Sequence, residues 1–210
     1  PATSAGLSHQ ATALPSRSSF CHVAAGKRGL QRGLNGRKRI VLLALDETIL
    51  TETPPLRIAW GKRGQQISIP ITGNRAKRIL YGALNLRSGQ LELASSLHWT
   101  QDDFQAFLRQ IRRRIVLFLD RGSPHRAQRS QKLARELGIE LRWLPTACPE
   151  LNPVDHLWRH LKRDVLGNCG LQKVTTAQER ALVYLQTLSP QERRRKAGLL
   201  APGCWLRKVL

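Results

Sequence analysis

Two carboxylates set at the ends of consecutive strand and helix signals constrain this chain most. Ile115 to Leu119 is wholly apolar and is followed at once by Asp120, the pattern of a buried strand that delivers a carboxylate at its C-terminal end. In open sheets covered by helices, sites form at that end. His125 to Leu137 is polar, with Ala127, Leu133, Ala134 and Leu137 recurring at helical spacing, and Gly138 stands where a helix stop needs positive φ. Ile139 to Leu144 alternates apolar and polar and stops before Pro145, a second strand. Asn152 and Pro153 then read as the N-cap and first residue of a helix striped by Val154, Leu157, Trp158, Leu161 and Val165, with Asp155 in its first turn. The unit is strand, carboxylate, helix, strand, helix, carboxylate. Carboxylates converged in this way suggest a divalent metal site, because hard cations take oxygen ligands.

A third carboxylate has the same setting. Arg37 to Arg39 lead into Ile40 to Leu45 and then Asp46, the first acidic residue of the chain, with Glu47 beside it. An Asp after a strand is, taken alone, more often a loop cap, and an acidic residue three places after an Asn N-cap, as Asp155 is, also suits a capping box. Leu56 to Trp99 holds short apolar alternations broken at Gly61, Gly64, Gly73 to Asn74 and Ser88 to Gly89, which predicts antiparallel strands joined by hairpins. Thr100 and Asp103 form a capping-box start for a helix carrying Phe104, Phe107, Leu108 and Ile111, so Asp102 and Asp103 read as helix-start charges. Arg112 to Arg114 suit the end of that helix and a place near substrate. Thr175 or Thr176 starts another helix with Leu182, Leu185 and Leu188, and Ser189, Pro190 and Glu192 signal a last one.

Charge narrows the partner. With 35 Lys+Arg against 14 Asp+Glu among 210 residues the formal charge is +21, which points to a polyanion, and nucleic acid is favoured because each neutralised phosphate releases counterions. A long apolar span or a strongly amphipathic basic helix, the marks of a membrane partner, is absent from the pattern. The four cysteines, Cys21, Cys148, Cys169 and Cys204, lack a C-x-x-C spacing and read as reduced thiols of a cytoplasmic protein. His156 and His160, with Cys169 nearby, are the weaker metal candidate because H-E-x-x-H is missing. Residues 1–38 carry no acidic residue and no periodicity, the composition of a basic disordered arm or linker. A start at Pro1 and the lack of any Met suggest a piece of a longer chain.

The stretches LFLDRGSPH and LRWLPTACPELNPVDHLW, with the earlier RIVLLALDE, resemble the three acidic motifs of the DDE/DDD-type transposases, in the bacterial insertion-sequence branch related to mariner. The 34 residues between Asp120 and Asp155 match that group's spacing, and Trp60, Gly61, Gly64, the YGALN stretch and the ending from Ser189 also look similar. The third carboxylate is Asp where this bacterial branch usually has Glu, although mariner-like relatives use Asp. Arg121 stands where Asn is usual, and Cys148 where Ser is common.

The resemblance implies an α/β, ribonuclease H-like fold: a mixed sheet of antiparallel meander and parallel strands flanked by helices, catalytic over 39–170 and extended by packed helices over 171–210. It implies catalytic, metal-holding Asp46, Asp120 and Asp155 around two Mg2+ or Mn2+ ions, with Glu47, His125 and Asn152 supporting the site. DNA contacts are expected from Lys62, Arg63, Arg121, Arg126, Arg159, Lys162 and Arg163, although any one such side chain is also a common solvated charge. The implied activity is cleavage and strand transfer on double-stranded DNA, transposon ends and target, by a homodimer in a synaptic complex in the bacterial cytoplasm, associated with the nucleoid. Neither membrane nor small-molecule cofactor is expected. A catalytically inactive DNA-binding remnant and a simple ribonuclease H-like nuclease remain the alternatives.

Overall fold

A computed structural model describes residues 40–111 and 115–207, together with Lys27, Arg28, Leu30, Gln31, Leu34 and Leu210. The rest of the expected N-terminal arm, Cys21 included, and the Arg112 to Arg114 cluster lie outside the described residues. Leu30 and Leu34 are buried in the core.

Five strands form one sheet in the order β3-β2-β1-β4-β5: β1 (Val41–Thr51), β2 (Lys77–Asn85), β3 (Leu91–Ser96), β4 (Ile115–Leu119) and β5 (Ile139–Trp143). β1, β2 and β3 form the antiparallel meander, whereas β4 pairs parallel to β1 and β5 parallel to β4. Helices α1 (Gln101–Gln110), α2 (Ser123–Arg126), α3 (Gln128–Glu136), α4 (Pro153–Leu161), α5 (Val174–Thr187) and α6 (Pro190–Lys196) follow or intervene.

Because side chains alternate along a strand, each central strand feeds two cores. Leu43, Leu45, Tyr81, Leu117 and Leu119 pack with Phe104, Phe107 and Leu108 of α1 and Ala134 of α3. Leu42, Ala44, Leu80, Leu84, Val116 and Phe118 face Val154, Leu157, Trp158 and Leu161 of α4, and Ala177, Ala181 and Leu185 of α5. The mixed sheet flanked by helices is the ribonuclease H-like arrangement.

Both capping boxes form: Thr100 and Asp103 start α1, and Ser189 and Glu192 start α6. Elsewhere the structure corrects the sequence reading. β1 does not stop at Leu45 but runs on through Asp46 to Thr51, because β2 keeps pairing as far as Thr51 opposite Lys77. Residues 54–76 make no strands. Their alternating apolar side chains have no layer to cover, and Leu56, Ile58 and Trp60 lie exposed on a projecting arm. Its two legs are fastened at the base: Asn168 Nδ2 donates to the Arg57 carbonyl, and Leu171 N–H to that of Pro70.

The helix expected over 125–137 is broken at Ala127, whose ψ is 132°. The Arg126 carbonyl near that break accepts instead from Gln131 Nε2. α5 starts at Val174 without a side-chain cap of its own, because buried Glu52 at the end of β1 accepts its first N–H. Its buried stripe is Ala177, Ala181 and Leu185, with Leu182 only half-buried.

Below α4, a π-helical turn over Lys162–Leu166 gathers a small charge cluster. Asp164 accepts from Arg163 Nε at 2.6 Å and Tyr184 Oη at 3.3 Å, and Lys196 Nζ lies 3.7 Å away. These partners, the Arg163 hydrogen bond first, hold its carboxyl down at about 2. A lowered folded-state pKa gives stability that is present above the ordinary carboxylate range and is lost as pH falls through about 2. For so exposed a group the expected cost of Asp164→Asn is about 1 kcal/mol at neutral pH. Urea midpoints of the two proteins should differ near pH 7 and converge only as pH falls below about 2.

Candidate active site

The sheet opens where the carboxylates lie. β4 accompanies β1 only as far as Ala44 opposite Phe118, so the next even-numbered residues, Asp46 and Asp120, emerge where the two strands part. Both belong to the face covered by α4, and Asp155 comes from the first turn of α4. The three line a single open pocket of about 390 Å3, completed by Arg121, Gly122, Asn152 and the 144–149 loop. In that loop Ala147 takes a φ of 56°.

Two packing features set α4. Asn152 is buried, donates from Nδ2 to the Leu45 carbonyl at 2.9 Å and accepts from Val154 N–H at 3.1 Å. It therefore caps the helix and ties it to the residue before Asp46. Gly82, opposite Asp46 across β1 and β2, lets the Trp158 ring lie directly on the strand, since a Cβ there would sit 2.7 Å from it. Asn152 was among the expected support residues; Gly82 was not.

The charges are unevenly held. Burial, and then the nearby Glu47, Asp155 and Asp120, push the Asp46 carboxyl up to about 8. Asp120 is held below its usual range by a hydrogen bond from His125, helped by Gly122 N–H. His125 is wholly enclosed, which disfavours its charge, but its bonds to Asp120 and Glu47 outweigh burial and raise it to about 9. Arg159 Nη2 stands 2.5 Å from Asp155 Oδ2 without hydrogen-bonding alignment, leaving that buried oxygen with no hydrogen-bond partner.

Glu47, expected as a support residue, stands apart from the three carboxylates. It is not in the pocket lining, because strand alternation turns it to the opposite face, where it bonds His125.

Among the described residues, no three His, Cys, Asp or Glu side chains form a ready-made metal cage. Asp120 is turned to His125 and Asp155 lies against Arg159. The donor set nevertheless suits a hard divalent cation: three carboxylates in one pocket, one in an unfavourable field and one whose buried oxygen has the Arg159 ion pair but no hydrogen bond. Cys148 lines the same pocket, but burial pushes its thiol up, away from thiolate chemistry. His156 instead meets the Glu150 carbonyl, and His160 meets Arg163.

The expected DNA-contact residues scatter. Arg121 reaches the pocket, Arg126 lies exposed on α2, and Arg159 and Lys162 flank the exposed side of α4. Arg163 is engaged with Asp164, while Lys62 and Arg63 sit exposed on the arm and do not line the pocket.

Comparison with known proteins adds family and fold. The family described as DDE superfamily endonuclease matches residues 41–177, a span that holds all three carboxylates. A Shigella sonnei protein, the insertion element IS630 uncharacterized 39 kDa protein, is 22% identical over 152 residues, covering 69% of this chain and 44% of that one. Mos1 transposase in a paired-end complex with the left transposon end shares the fold at a TM-score of 0.67 and 15% identity, over 99% of this chain and 66% of that chain. The isolated catalytic domain of Mos1 mariner transposase matches at 0.59 and 15% identity, over 94% of each chain. The chain thus spans less than two thirds of the insertion-element protein and of the longer Mos1 chain.

Proposed function

The chain belongs to the DDE superfamily endonucleases, and from that premise we propose that it is the catalytic domain of a transposase, cutting DNA at transposon ends and joining the freed ends to a target. One observation carries the proposal: carboxylates from β1, β4 and α4, far apart in sequence, line one pocket. We assign Asp46, Asp120 and Asp155 as holders of Mg2+ or Mn2+; Mos1 paired-end complexes have been solved with each metal. Bound there, two divalent ions would lower the pKa of an attacking water or 3′-hydroxyl and stabilise the leaving oxygen.

The chain's own residues supply the frame. Asn152 fixes the start of α4 against β1, so Asp155 keeps its place relative to Asp46. Leu144 to Pro149 wall the pocket, and Arg121, which lines it, would meet a phosphate of the bound DNA. In this reading Lys62, Arg63, Arg126, Arg159 and Lys162 contact the DNA backbone, and Arg159 releases Asp155 to do so. The formal charge of +21 supports a DNA partner. The catalytic domain would span 39–170, with 1–38 a basic arm and 171–210 a packed helical extension. The working form would be a synaptic homodimer in the bacterial cytoplasm, at the nucleoid. No helix among the described residues is long and apolar enough to cross a membrane.

The test is nicking of supercoiled plasmid with Mg2+ or Mn2+, followed by an assay for covalent joining of a 3′-hydroxyl end to a second duplex. Nicking that disappears with EDTA and in Asp120→Ala, together with joined product, is the expected result. Nicking without joining would leave a simple nuclease. DNA binding without cutting would favour the inactive remnant.

A further inference from the structure

We infer that His125 and Glu47 form a positioning pair that fixes which oxygen of Asp120 is offered to a cation, an inference that rests on the metal site proposed above. His125 Nδ1 lies 2.7 Å from Asp120 Oδ1, and Nε2 lies 2.7 Å from Glu47 Oε1. Gly122 N–H donates to the same Asp120 oxygen at 2.9 Å. Oδ1 is therefore occupied twice, while Oδ2 has no hydrogen-bond partner among the described residues and the side chain, about half exposed, lines the pocket. Fixing one oxygen of a carboxylate fixes the plane and direction of the other.

The ring has little freedom. It is 1% exposed, its centroid 4.4 Å from that of Phe104, with Trp99 edge-on at 6.3 Å. The backbone break at Ala127 separates the short α2 that carries His125 from the longer α3. Gly122 completes the packing: a Cβ there would stand 2.9 Å from Trp99, 3.1 Å from His125 Nδ1 and 3.2 Å from Asp120 Oδ1. The Glu47 side chain lies on the sheet face opposite to Asp46, and its hydrogen bond toward the site runs to this ring. Its place next to Asp46 in sequence is therefore misleading: it acts on Asp120, 73 residues away, and not as a fourth ligand. Partners that hold a ligand's outer atom commonly change metal affinity about 10- to 100-fold when removed.

The experiment measures Mn2+ binding by electron paramagnetic resonance, alongside the metal dependence of nicking and thermal melting. It compares the wild-type chain with Glu47→Gln, His125→Gln, the double variant and Asp46→Asn. Glu47→Gln and His125→Gln should weaken Mn2+ binding about 10- to 100-fold and raise the metal concentration for half-maximal nicking in step. The double variant should be no worse than His125→Gln, because Glu47 acts through the ring. Glu47→Gln, the mildest change, serves if His125→Gln does not fold.

Wild-type affinity in a folded Glu47→Gln or His125→Gln would overturn the positioning role while leaving the site reading intact. Independent, multiplying losses in the double variant would also overturn it. Wild-type protein that binds no Mn2+, or an Asp46→Asn variant that binds it normally, would overturn both readings.

Discussion

Asp46→Asn is expected to reduce metal-dependent nicking by at least about 10^3-fold, since a bound ion supplies several kcal/mol of transition-state stabilisation, and yet to make the metal-free protein more stable. The two effects share a cause. Asp46 is largely buried, and that burial first, then the charges of Glu47, Asp155 and Asp120 nearby, push its carboxyl up to about 8. A folded-state pKa raised above the ordinary value leaves stability intact below about pH 4 and removes it progressively as pH rises toward about 8. At neutral pH that penalty is of order 2–4 kcal/mol. Asn has the same shape without the ionisable group and escapes it. In EDTA the variant should melt about 5–10 °C above wild type near pH 7, and the difference should shrink toward pH 4. A variant that melts lower at every pH would show that Asp46 is a structural group. One that still nicks would remove it from the site.

The same residues show what a sequence discloses and what it hides. Asp120 was legible because an apolar strand delivers its next polar residue at its C-terminal end, Asp46 because it interrupts an apolar run even though β1 continues through it, and Asp155 because Asn152 and Pro153 mark a helix start. The strand partition that exposes the first two depends on β4 ending at Leu119 while β2 goes on to Lys77, a register no local pattern contains. Residues 54–76 alternate like strands, yet periodicity says nothing of whether a second layer exists to cover them. Glu52 capping α5 from 122 residues away, and Glu47 meeting His125 from 78 residues away, are tertiary hydrogen bonds without a local signature. Strand parity does imply that Glu47 points away from Asp46, a signal available once β1 is known to continue past Asp46.

Gly82→Ala is expected to damage both the fold and the site. The added Cβ would lie 2.7 Å from Trp158 Cζ2, 2.8 Å from Cη2 and 3.5 Å from Val154 Cγ1. Trp158 is 2% exposed and Val154 fully buried, so the rigid ring has no open space to enter. The helix must lift, and α4 carries Asp155 in the turn next to Val154. Overpacking of this kind costs about 1–3 kcal/mol, which lowers melting by about 2–12 °C for a chain of this size. A displacement of about 1 Å at a catalytic group costs about 100-fold in rate. The cause can be isolated by shrinking the partner. Trp158→Leu alone leaves a cavity and destabilises the protein, but paired with Gly82→Ala it gives the methyl group room. The double variant should therefore be more stable than the sum of the two single losses implies and should regain nicking relative to Gly82→Ala. Additive losses would show that Gly82 is required for its backbone and not for the space above it; the placement of Asp155 would then depend on Asn152 alone.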